Sequence, residues 1–95
     1  MNKVILIGNV GESPIYRELG NDKYVAHFNL ATDYRNTTEW HKVVCFGSQA
    51  EFVHKYCDKG KKLAVEGRLE TRKWQDKDGV DRYTTEIIAS EVIGL

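Results

Sequence analysis

The sequence predicts an all-β domain: a five-stranded β-barrel with one short α-helix between its third and fourth strands, spanning residues 1–95. Two observations carry this expectation. Segments of strand length, apolar or alternating with period two, recur along the chain and are separated by glycine-rich or polar turns. One segment, after the third long strand, switches to helical three-to-four spacing.

Val4 to Val10 is β-branched and leucine-rich without polar alternation, which marks a strand covered on both faces. Gly11, Ser13 and Pro14 break it, and a short IYRE segment followed by GND forms a hairpin returning into YVAHFNLAT. There Tyr24, Ala26, Phe28 and Leu30 share the core side, opposite Val25, His27, Asn29 and Ala31. The polar link DYRNT leads to TEWHKVVCF, where alternation separates Trp40, Lys42, Val44 and Phe46 from His41, Val43 and Cys45.

The helical segment is GSQAEFVHKYCDKG. Ser48 and Glu51 have capping-box spacing, Phe52, Val53, Tyr56 and Cys57 form the buried stripe, and Gly60 is the C-terminal stop. KKLAVEGRLETRKW then alternates again, with Leu63, Val65, Gly67 and Leu69 inward. Lys62, Glu66, Arg68, Glu70, Arg72 and Trp74 face outward. Gly79 turns the chain into the final strand, RYTTEIIASEVI. Three strands, a helix and two strands is the OB topology, and five strands suffice to close a small barrel. An α+β sandwich shares this element order.

Composition narrows the function. The 14 basic and 14 acidic residues cancel, which removes the usual electrostatic footprint of a nucleic-acid partner. Distribution restores part of it, since residues 59–73 carry six cations against two carboxylates. The first apolar run stops at Gly8, far too soon to span a bilayer, and no signal peptide is recognisable. Cys45 and Cys57 lie in apolar neighbourhoods, as reduced structural thiols do in a cytoplasmic protein. No metal or cofactor is expected, because no C-x-x-C pair or phosphate loop exists. No enzyme is expected, because Cys45 is no activated thiolate and the scattered carboxylates show no pairing in an apolar setting that would mark a general acid.

What remains is the interleaving of aromatic and basic residues. A lone strand aromatic such as Trp40 or Phe46 belongs to the core more often than not. Trp74, on a polar face beside Arg72, does not fit that description. Cations that track phosphates and flat rings that stack on unpaired bases are what single-stranded nucleic acid requires.

The stretches NKVILIGNVGESP, ATDYRNTTEWHKVVCFG and EGRLETRKWQDKDGVDRYTTEI resemble the bacterial single-stranded DNA-binding protein family over essentially the whole chain. The resemblance implies an OB fold, a homotetramer, a nucleoid-associated location, and binding of single-stranded DNA without strong sequence preference in replication, recombination and repair. By position it implies that Trp40, Phe46 and Trp74 stack on bases, with Tyr34 near a further family tryptophan. Lys42, Lys59, Arg72, Lys73 and Arg82, with Lys3 more remotely, fall near the DNA path, and His41 falls at a position tied to subunit association. The family usually continues into a linker with an acidic tip that recruits repair and replication proteins. The sequence stops at Leu95, so recruitment through such a tail is not expected of these residues. The competing reading is a related OB-fold primosome-type assembly factor acting through protein docking, against which aromatics at both 40 and 74 speak.

Overall fold

The computed structural model describes all residues from Met1 to Leu95. Its elements are β1 (Val4–Val10), β2 (Ile15–Gly20), β3 (Lys23–Tyr34), β4 (Thr37–Phe46), α1 (Gly47–Tyr56), β5 (Lys62–Gln75) and β6 (Asp81–Gly94). Hydrogen-bonded neighbours run β1-β5-β6-β4-β3, and β1 closes the ring by also pairing β3 at Asn9↔Ala31 and Val10↔Leu30. The result is a closed five-stranded barrel with α1 between its third and fourth strands. All pairings are antiparallel except β4–β6, which is parallel at Val43↔Ile87 and Val44↔Ile88.

The IYRE segment exceeds its expected role. It forms a sixth strand, β2, laid on the outer edge of β3, with Ile15 opposite His27 and Arg17 opposite Val25. The turn between them places Asn21 and Asp22 both at positive φ. That left-handed pair is what a tight hairpin demands.

Inside the barrel, alternate residues interdigitate as the alternation predicts. Ala26, Phe28 and Leu30 meet Val43 and Cys45, with Leu63 and Val65 from β5 and Ile87 and Val92 from β6. Leu69, expected inward, is exposed, because β5 and β6 run past the barrel as a two-stranded arm whose two faces both meet solvent. The arm turns at Gly79, φ 76°, as expected.

The helix departs from expectation at both ends. Phe46 occupies the N-cap with no side-chain cap hydrogen bond, so the Ser48–Glu51 capping box is not formed. The chain enters α1 directly from β4 through Gly47 at φ 62°. Ser48 is thereby inside the first turn instead of before it, where a cap must stand. The helix ends at Tyr56, and Gly60, at φ 88°, serves the following turn, where its N–H bonds to the Val10 carbonyl at 2.8 Å. The buried stripe is Ala50, Val53 and Cys57, with Phe52 at its margin and Tyr56 exposed.

Candidate nucleic-acid interface

Register places one set of side chains on a single outer face. On β4 these are Phe46, Val44, Lys42 and Trp40; opposite them on β3 lie Val25, His27, Asn29 and Ala31. Across the parallel β4–β6 pair the same face continues with Glu86, Thr84 and Arg82, and then with Glu70, Arg72 and Trp74 on β5. Arg17 of β2 extends it on the far side. The face therefore runs from the β2 edge over the barrel to the tip of the arm.

Three of its aromatics are open to solvent, Trp40 at 59%, Phe46 at 50% and Trp74 at 42%. Neither Trp40 nor Phe46 is a core residue. Trp40 lies against Gly11: a Cβ there would stand 2.5 Å from its Cζ3, so only glycine leaves room for the ring. The Trp74 indole N–H donates to Thr84 Oγ1 at 2.8 Å, which pins one edge and leaves the ring face free. A half-exposed aromatic held in one orientation is a stacking platform that loses little freedom when a base covers it.

The cations around these rings differ in partner. Lys42 and Arg72 share Glu86, at 3.6 Å and 3.1 Å, and Glu86 is buried to 8% exposure. Arg82 stands opposite Trp74 and is held by Asp76 at 3.0 Å. Asp76 also accepts the Asp78 and Val80 amides, and these bonds, that of Val80 foremost, hold its carboxyl below the usual range. Lys59 reaches the other end, where it lines with Trp40, Gly11, Glu12 and Asn29 a cleft of about 410 Å³. A second cleft, about 460 Å³, lies between Arg17, His27, Asn29 and Lys42. Burial, then Arg17 and Lys42, push the His27 pKa down, so the ring favours its neutral form there.

Three expected residues lie elsewhere. Lys73 points to the opposite face of the arm, opposite Tyr83 and 3.2 Å from Asp81. Tyr34 is on the Thr32 side of the β3–β4 hairpin, with the Arg35 guanidinium 5.3 Å from its ring centre. Lys3 is around the barrel from Trp40, bonded to Glu66 at 2.8 Å, which raises its pKa. His41 is half-buried, its Nε2 2.7 Å from Thr32 Oγ1.

Sequence reading missed Glu86, His27, Arg17, Gly11 and Thr84. Glu86 was discoverable: counting back from the Gly79 turn pairs it with Glu70 and sets it beside Arg72. No three His, Cys, Asp or Glu residues cluster as metal ligands, and burial raises the Cys45 thiol to about 12.

Relationships agree with this geometry. The model of the single-strand binding protein family matches residues 1–95. The chain belongs to that family. The solved complex of Plasmodium falciparum SSB with ssDNA superposes with a TM-score of 0.90 at 34% identity, over 100% of this chain and 95% of that one. In this member of the single-strand binding protein family, the family fold carries the open aromatics on one continuous face and seats a buried carboxylate between two of the cations of that face.

Proposed function

We propose that this chain binds single-stranded DNA without strong sequence preference and protects it in replication, recombination and repair. Bases stack on Trp40, Phe46 and Trp74, while Lys42, Lys59, Arg72 and Arg82 engage phosphates. The observation that carries this reading is the pair of half-exposed tryptophans on one outer face, interleaved with cations. Family membership and the likeness to an SSB solved with ssDNA support it. Lys73, Tyr34 and Lys3 would act only where the strand passes around the arm or the barrel.

Stacking contributes about 1–3 kcal/mol per base, so Trp40→Ala and Trp74→Ala should each weaken oligo-dT binding by about 5- to 150-fold. Oligo-dT titration should quench tryptophan emission; unchanged emission at saturation would sink the stacking model. If neither alanine variant changes affinity, the protein-docking reading replaces it.

The protein is proposed to be a cytoplasmic homo-oligomer, a tetramer in the family pattern. Ile5, Ile7 and Ile93 are exposed side by side around Ala64, an apolar patch away from the tryptophan face. A second copy of the chain would cover it. His41 is assigned to association by its place in the TEWHKVV motif.

A further inference from the structure

Glu86 is out of place in a phosphate-binding groove. Its side chain is only 10% exposed at the middle of the aromatic face, where a negative charge repels the ligand. Burying a carboxylate is costly unless cations and hydrogen bonds compensate it, and two cations do so here. Oε1 accepts from Arg72 Nε at 3.1 Å and Oε2 lies 3.6 Å from Lys42 Nζ, so one side chain on β6 ties together β4 and β5. Arg72 uses Nε alone in this contact, which leaves both terminal nitrogens of its guanidinium for a second anion. Across the ladder Glu70 faces Glu86 but pairs with Arg68, and His27 of β3 completes the surroundings.

We infer that Glu86 is an internal counterion that positions Lys42 and Arg72 for phosphate and moderates the groove's charge. This rests on the reading of the face as a single-stranded DNA site. Without the carboxylate, Lys42 and Arg72 would repel each other and sample many rotamers. With it, they wait at a fixed spacing, and the strand meets an ordered pair of donors. The cost is one unit of net attraction.

These two effects separate with salt. Charge acts through solvent and is screened, over about 10 Å at 0.1 M salt but about 3 Å at 1 M. Orientation of the two donors is not screened. Removing the charge in Glu86→Gln should therefore strengthen oligo-dT binding at low salt and weaken it several-fold at high salt. The lines of log affinity against log salt should cross. The slope should steepen by about 0.7, the contribution of one phosphate neutralised on a single strand.

Fluorescence titration of oligo-dT with wild type, Glu86→Gln and Glu86→Asp across a salt series tests this. Glu86→Asp keeps the charge but shortens the reach, so its slope should match wild type while its affinity falls several-fold throughout. Equal slopes for wild type and Glu86→Gln overturn the inference and leave the DNA reading intact. If circular dichroism shows Glu86→Gln unfolded, Glu86→Asp decides, and wild-type affinity in that variant overturns the inference. A wild-type protein that fails to bind oligo-dT removes the DNA reading, and the inference with it.

Discussion

Glu70 stands on the aromatic face between Arg68 and Arg72, opposite Glu86 across the β5–β6 ladder. Like charges directly opposed on a sheet destabilise it, and both repel phosphate. Glu70→Arg should tighten oligo-dT binding several-fold at low salt and steepen the salt slope, with no loss in melting temperature; unchanged affinity would place Glu70 outside the DNA path. His27 offers a second residue-level test. Its pKa lies below the ordinary value because of burial first, then Arg17 and Lys42, with Arg72 adding to them and Glu86 opposing. A phosphate beside Arg17 and Lys42 offsets their repulsion, so the complex holds the proton more readily than the free protein. The state with the higher pKa gains as pH falls. Oligo-dT affinity should therefore rise as pH drops below about 6.5, and His27→Gln should flatten that rise. Identical profiles in both proteins would show that no phosphate approaches His27. Alternation alone assigned Trp40, Lys42, Phe46, Arg72 and Trp74 to their faces. It gave no warning that Glu86 is buried and His27 half-buried, because the strands that cover them are distant in sequence.

The arm formed by β5 and β6 emerges from the barrel at a bulge between Glu66 and Gly67. A Cβ on Gly67 would stand 2.3 Å from the Ile88 carbonyl oxygen and 2.9 Å from its carbon, both backbone atoms that cannot rotate away. Gly67→Ala must push β5 off β6, a strain of about 1–3 kcal/mol. At about 4–8 °C per kcal/mol for a domain of this size, the melting temperature should fall by roughly 4–24 °C. An unchanged melt would mean the bulge absorbs the methyl group. Alternation assigned Gly67 to the inner face but could not reveal the close approach, because Ile88 belongs to the next strand, beyond the whole arm and its turn. The helix failed for a related reason. Ser48 and Glu51 have the spacing of a cap, yet β4 feeds α1 through Gly47 and leaves no residue free to cap it. The short IYRE segment gained its full strand only because β3 continues long enough to present an edge.

At the scale of the molecule, zero net charge is compatible with binding a polyanion because cations and carboxylates are paired locally. The Lys42–Glu86–Arg72 bridge, Arg82–Asp76 and Lys73–Asp81 are examples. The barrel wall then presents two unlike surfaces, the aromatic face over β3, β4, β6 and the arm, and the isoleucine patch where β1, β5 and the end of β6 meet. If a second copy covers that patch, the aromatic faces of the assembly remain open, and a long strand can engage several of them at high effective concentration. Ile7→Lys, which adds a charge to the patch, should lower the sedimentation coefficient from that of an oligomer to that of a monomer at low micromolar concentration. The same variant should bind an oligo-dT short enough for one face with wild-type affinity, yet lose about 10²-fold or more on a long oligo-dT, because linkage between faces is what the long strand exploits. A wild-type monomer at these concentrations would remove the association proposal. Equal losses on short and long strands would instead mean that the isoleucine patch itself touches DNA.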